Sequence, residues 1–192
     1  MRKALLALAG VLGVTLSTVA LAARYEEPPY TVVEERDDLE VRRYGPTIQA
    51  QTVMSSESDP SLNGGFRVLA DYIFGGNEEE QSIAMTTPVT TQPVQDTLVM
   101  TFTMPAEFDM DSLPEPNDPR VTLVQVPGGD FAVLTFSGRV KRGDYADARA
   151  RLLQRVEEEG LQTIGEPIVA QYNGPWTPGP LRRNEVMIQL AP

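Results

Sequence analysis

Apolar and polar positions alternate with a period of two over much of the chain, which predicts β-strands. In Leu39–Tyr44, Leu39, Val41 and Arg43 fall on one face and Glu40, Arg42 and Tyr44 on the other. Tyr30–Glu35 reads as its partner across the turn Arg36-Asp37-Asp38. Gly45-Pro46 interrupts the run, and Thr47–Met54 continues as strand. The period then changes. Phe66, Leu69, Ala70 and Ile73 recur at i, i+3, i+4 and i+7, one apolar face of a helix. Asp59 suits its cap, Pro60 suits its first position, and Gly75-Gly76-Asn77 suits its end. Ser82–Val94 and Thr97–Met104 read as strands, and Leu98, Met100, Phe102 and Met104 make one face of the second the more apolar.

The same order then recurs. Pro105–Pro119 holds four prolines and five carboxylates, so it reads as a surface connection between two halves, each too small for a good core alone. Val121–Val126 and Phe131–Arg139 read as strands around Pro127-Gly128-Gly129-Asp130. Asp144 begins a helix in which Tyr145, Ala148, Leu152 and Val156 keep helical spacing, and Gly160 ends it. Pro167–Tyr172 and Glu185–Leu190 are the last predicted strands. The expected class is α+β: duplicated ββαββ-like halves forming a distorted antiparallel sheet or partial barrel with two helices. The concave side of such a sheet is a natural ligand cleft.

The first residues do not fit that pattern. Arg2 and Lys3 precede an uncharged apolar run, Ala4–Val19, and Ala20-Leu21-Ala22 supplies the small residues a signal peptidase reads. A secretory signal over residues 1–22 and a single domain over 23–192 are expected, so the protein is exported and is periplasmic or secreted. An uncleaved anchor is the alternative, since Ala4–Ala23 spans 20 residues. Loss of Arg2 and Lys3 moves the formal charge from −11 to −13. So acidic a surface repels phosphates and anionic lipid head groups, which argues against nucleic acid and, after signal removal, membrane as partners. The chain has no cysteine and no histidine. Disulfides, thiolate metal sites, cysteine nucleophiles, Ser-His-Asp triads and imidazole ligation are therefore excluded. Composition leaves the oligomeric state open.

Several stretches, taken together and in order, carry a family resemblance. They are Tyr30-Thr31-Val32-Val33-Glu34, Leu39–Tyr44, Gly65–Asn77, Met85-Thr86-Thr87-Pro88-Val89, Phe102-Thr103-Met104-Pro105, Phe136-Ser137-Gly138 and Arg182-Arg183-Asn184-Glu185-Val186. The chain resembles the SOUL haem-binding protein family over almost all of residues 23–192. The resemblance implies a duplicated α+β fold and binding of haem or another tetrapyrrole as ligand, not as catalytic cofactor. It also implies a cleft near the first helix and the late loop Tyr172–Pro180. With no histidine, a bound iron would meet Met or Tyr, or no protein ligand.

The candidate ligand-binding residues are Met85, Tyr72, Tyr172, Trp176 and Arg182. Met85 reads as pocket lining or as core. Tyr72 and Trp176 have flat faces to lay on a planar ligand, or to cap the core. Arg182 suits a propionate, although internal salt bridging is the plainer reading. Glu185 reads as a solvated acid at a strand end; buried, it would be a candidate general base paired with Tyr72 or Tyr172. Glu107, Asp109 and Asp111 match no calcium loop and read as solvated acids. The chain thus reads as a binding protein for haem or a related tetrapyrrole. A module for another small apolar ligand, like the effector-binding domains of bacterial regulators that the fold resembles, is the alternative. A small-molecule hydrolase using Glu185 stands behind both.

Overall fold

The computed structural model describes residues 25–55, 63–139 and 142–192. The expected signal segment and the capping pair Asp59-Pro60 lie outside the described residues. Nine strands and two α-helices follow in the order β1 Tyr30–Arg36, β2 Leu39–Tyr44, β3 Thr47–Ser55, α1 Asn63–Ile73, β4 Val89–Val94, β5 Thr97–Thr103, β6 Thr122–Val126, β7 Gly129–Phe136, α2 Arg142–Glu158, β8 Thr163–Gln171 and β9 Asn184–Leu190. They form one antiparallel sheet, ordered β1-β2-β7-β9-β8-β4-β5-β3-β6 and not closed, so the expected class holds.

The order contains the duplication and an exchange within it. One unit is β2-β3-α1-β4-β5, the other β6-β7-α2-β8-β9. The first strand of each pairs with the second strand of the other: β2 with β7, from Leu39↔Leu134 to Tyr44↔Gly129, and β6 with β3, from Thr47↔Val126 to Gln51↔Thr122. The direct seam between the units is only three pairs long, Val89↔Gln171, Thr90↔Ala170 and Thr91↔Val169. The strand exchange therefore makes one domain of two halves.

Exchange requires the connections β2–β3 and β6–β7 to pass each other closely. A Cβ on Gly128 would lie 2.4 Å from the carbonyl oxygen of Tyr44 and 2.8 Å from the carbonyl carbon of Gly45. Backbone on both sides leaves nothing flexible to yield, so residue 128 has to lack a side chain.

Each helix covers its own half of one face of the sheet. On α1, Leu69, Tyr72 and Ile73 are buried against Ala50 and Met54 of β3 and Met100 and Phe102 of β5. Gly65 lets α1 approach, since a Cβ there would meet the Met54 sulfur at 2.4 Å. On α2, Leu152 and Val156 pack on Leu39, Ala132, Leu134, Val169, Val186 and Ile188. Burial of each such side chain contributes about 1.5–3 kcal/mol. Arg155 ties the end of α2 to Asp38 in the β1–β2 turn, at 3.1 Å, and Arg151 reaches the same carboxylate.

Three expectations change. The strand expected over 82–94 begins only at Val89, because residues 82–88 make isolated bridges instead, Ser82 to Phe74 and Thr86 to Glu26, and Thr87–Pro88 is cis. The strand expected from Pro167 starts at Thr163 and absorbs an irregularity between Ile164 and Ile168, where Gly165 has φ +71°. The strand expected to run to Arg139 stops at Phe136, and Gly138 follows with φ +120°.

The crossing yields a direct test. Gly128→Ala should cost about 1–3 kcal/mol, as overpacking does, or more because backbone is the obstacle. Gly174→Ala, with nothing within 4 Å of its added Cβ, should be near neutral. Urea unfolding of both variants checks the contrast; equal midpoints would refute the close crossing.

Candidate functional site

The sheet has a second face, opposite the helices. Its centre is filled by charge. Glu185 on β9 is fully buried, which overturns its reading as a solvated acid, and Arg42 on β2 is 3% exposed. Both stand at positions of opposite parity to the helix-facing Leu39, Val41, Val186 and Ile188, so the alternation that builds one core points them into the other face. Arg42 Nη1 donates to Glu185 Oε2 at 3.0 Å, and the Tyr172 hydroxyl donates to the same oxygen at 2.7 Å. Arg183 Nε donates to Oε1 at 3.0 Å, and the Thr135 hydroxyl makes a long contact there at 3.5 Å.

The network extends outward. Arg42 Nε donates to Glu40 at 2.6 Å and Arg183 Nη1 to Glu27 at 2.8 Å. The Arg42 guanidinium lies 4.4 Å from the centre of the Tyr30 ring, and that of Arg183 lies 3.7 Å from the centre of the Tyr172 ring. Tyr30, Tyr44 and Phe131 continue the aromatic edge, with ring centres 5.3 and 5.6 Å apart. Burial pushes the Tyr172 hydroxyl far above its ordinary pKa, and the neighbouring Glu185 carboxylate adds to the shift. Tyr172 therefore stays a protonated donor. Four donors occupy both oxygens of Glu185, leaving no lone pair for a substrate proton. The carboxylate–tyrosine pair considered in the sequence forms with Tyr172, and it acts as a clamp.

A cleft lies at the end of the sheet where β3, β5 and β6 meet the segment 26–29 and the loop after β5. Its volume is about 640 Å³. Ile48, Met104, Phe108 and Met110 supply apolar lining, and Pro28, Pro29, Pro46 and Pro105 stiffen it. Thr47, Thr86, Thr103 and Gln125 add neutral polar groups. The lining also contains Glu26, Asp109 and Asp111, and among the described residues no arginine or lysine. The segment carrying Glu26 is held by its carbonyl, which accepts the Thr87 N–H at 2.8 Å, and the Thr86 hydroxyl donates to the Thr103 carbonyl at 2.6 Å.

None of the five sequence-based site residues is among the lining of this cleft. Tyr72 is 1% exposed and its hydroxyl donates to the Pro114 carbonyl at 3.0 Å. Its burial pushes the pKa up to about 12. Met85 is half-buried against the first core, immediately before the lining residue Thr86. Tyr172 belongs to the Glu185 clamp. Arg182 donates to the carbonyls of Thr177, at 2.9 Å, and Pro175, at 2.6 Å, bracing the late loop from within. Trp176 on that loop is 93% exposed. Sequence reasoning missed the cleft because Pro105–Pro119 read as a mere surface connection. Phe108 and Met110 were the available signal, two large apolar residues in an acidic, proline-rich stretch.

Comparison with known proteins gives three kinds of likeness. The family described as SOUL heme-binding protein matches residues 25–189. Human Heme-binding protein 2 is 28% identical over 170 residues, covering 81% of this chain and 82% of that protein. Among solved structures, the EcmrR C-terminal domain superposes with a TM-score of 0.63 at 12% identity, covering 84% of this chain and 98% of that one. A hydrolase from Listeria innocua superposes at 0.55 with 10% identity, over 83% and 94% of the two chains. At such identities the last two establish a shared fold.

The clamp makes its own prediction. Glu185→Gln takes from the buried Arg42 guanidinium its buried carboxylate and leaves it only Glu40, and should cost about 3 kcal/mol in urea unfolding, the low end for a broken buried pair. Tyr172→Phe removes one hydrogen bond to a charged group, and should cost about 1.5–3 kcal/mol. A Glu185→Gln variant as stable as the parent would refute the assignment of Glu185 as a structural clamp.

Proposed function

The chain belongs to the SOUL heme-binding protein family, and from that premise we propose that it is an exported carrier holding haem or a related tetrapyrrole in an apolar cleft without histidine ligation. The cleft of about 640 Å³ at the end of the sheet carries this reading. Its volume falls within the range of pockets that hold drug-sized ligands, about 300–1,000 Å³. Ile48, Met104 and Phe108 offer apolar surface to the face of a macrocycle, and Met85 flanks the site through its neighbour Thr86.

The ligand set is narrow. With no histidine in the chain, an iron in this cleft would find the thioether of Met104 or Met110, or no protein ligand. The hydroxyls of Tyr72 and Tyr172 are already committed to Pro114 and Glu185. Bound haem would bring iron chemistry with it; the residues of the cleft supply burial of the ring and exclusion of water. Binding through the ring face is independent of the metal, which suits carriage or buffering. The hydrolase alternative needs Glu185 as a base, and that carboxylate is fully buried and saturated by donors. Export is supported by Arg2-Lys3, the apolar run Ala4–Val19 and the small residues Ala20-Leu21-Ala22. No helix among the described residues is long and apolar enough to cross a membrane.

An absorbance titration of the purified protein with ferric haemin tests the reading. A saturable Soret shift at one haem per chain is expected, with metal-free protoporphyrin IX binding within about threefold of haemin, a difference under about 0.7 kcal/mol. A non-saturating response would overturn tetrapyrrole binding. A strong preference for the iron form would overturn metal-independent binding. Sequencing the N-terminus of the protein recovered from the natural host should find Ala23; an intact Met1 would overturn cleavage.

A further inference from the structure

The charge of the cleft is opposite to what a porphyrin dicarboxylate would select. Three carboxylates, those of Glu26, Asp109 and Asp111, belong to its lining, and among the described residues no cationic side chain does. Two of them are held there by backbone. Glu26 Oε1 accepts the Ala106 N–H at 2.8 Å. Asp109 Oδ1 accepts the Ser112 N–H at 2.8 Å, while the Asp109 N–H donates to the Ser112 hydroxyl at 2.9 Å. Arg120, farther along the same connection, is engaged with Asp118 at 2.6 Å. Negative charge at this opening is thus built in, and no described lining residue supplies a counter-ion.

An acidic chain places carboxylates at random over its surface, but these flank an apolar hollow. Low-dielectric walls concentrate the field of charges at the mouth of such a cleft. Among the described residues no three acidic side chains gather closely enough to cradle a metal ion, so an inorganic cation does not fit the arrangement. What fits is a molecule with an apolar body and a positive group.

We propose that this cleft selects an amphiphilic organic cation, with its apolar body against Ile48, Met104 and Phe108 and its positive group among Glu26, Asp109 and Asp111. The inference rests on reading the cleft as a ligand site, and not on haem as its ligand. Among tetrapyrroles, the same rule favours those whose carboxylates are esterified or replaced by cationic groups over the free dicarboxylate.

The test compares two fluorescent probes of equal ring size, proflavine, which is cationic at neutral pH, and anthracene-9-carboxylate, which is anionic. Fluorescence anisotropy with the purified protein should give saturable binding of one proflavine per chain, about tenfold or more tighter than the anionic probe. The double variant Asp109→Asn/Asp111→Asn should bring the two affinities to within about threefold. Gln125→Arg adds a cation to the lining from an exposed position on the edge strand β6, so it should weaken proflavine and strengthen both anthracene-9-carboxylate and haemin. Thermal unfolding confirms that each variant is folded. Equal affinity for the two probes, or a preference that neither variant moves, overturns the proposal and assigns any binding to the acidic surface at large. Haemin titrated in parallel separates the two readings. Proflavine without haemin removes tetrapyrrole carriage and keeps cation selection, whereas haemin without proflavine does the reverse.

Discussion

The fold depends on two backbone segments passing within contact distance, at Tyr44–Gly45 and at Gly128. Two of the three strand pairings that unite the halves follow from that crossing. β2 leaves its own unit to pair with β7, and β6 leaves its own to pair with β3. Without the exchange the units would meet through the three residue pairs between β4 and β8. Each helix would then cover a small core of its own, and small cores are marginal. Exchange lets two hydrophobic clusters, one under each helix, belong to one sheet.

The crossing also determines what the opposite face of the sheet becomes. Bringing β2 beside β7 and β9 places Arg42 within reach of Glu185, 143 residues away in the chain. Two desolvated charges stabilise a fold only where their remaining hydrogen-bonding positions are filled. Arg183, Tyr172, Thr135 and Glu40 fill them. That network occupies the centre of the face and joins β2, β9 and the end of β8. Ligand-sized space is left at the end of the sheet, where the loop after β5 and the segment 26–29 stand apart from it.

The two regions divide the polar chemistry between them. At the centre, Arg42 and Glu185 pair out of contact with water. At the cleft, apolar surface stands beside carboxylates, with no arginine or lysine among the described lining residues. The first is suited to holding strands in register, the second to discriminating among ligands by charge. A family known for a dicarboxylate ligand thus presents here a cleft whose lining disfavours carboxylates, and the identity of the natural ligand turns on that contrast.

Local sequence determined the kind and order of the elements. Period-two alternation in Leu39–Tyr44 and Thr97–Met104, helical spacing in Phe66–Ile73 and Tyr145–Val156, and breakers at Gly75-Gly76-Asn77 and Gly160 each act over a few residues, so they can be read there. Composition alone removed histidine and cysteine chemistry. The strand exchange, the burial of Glu185 and the position of the cleft were decided by tertiary structure. Alternation separates two faces of β9 but does not say that both are covered. The partner that covers and neutralises Glu185 comes from β2, and the lining of the cleft comes from five separate segments. Pairings between residues so distant in the chain leave no local period, and only the folded sheet brings them together.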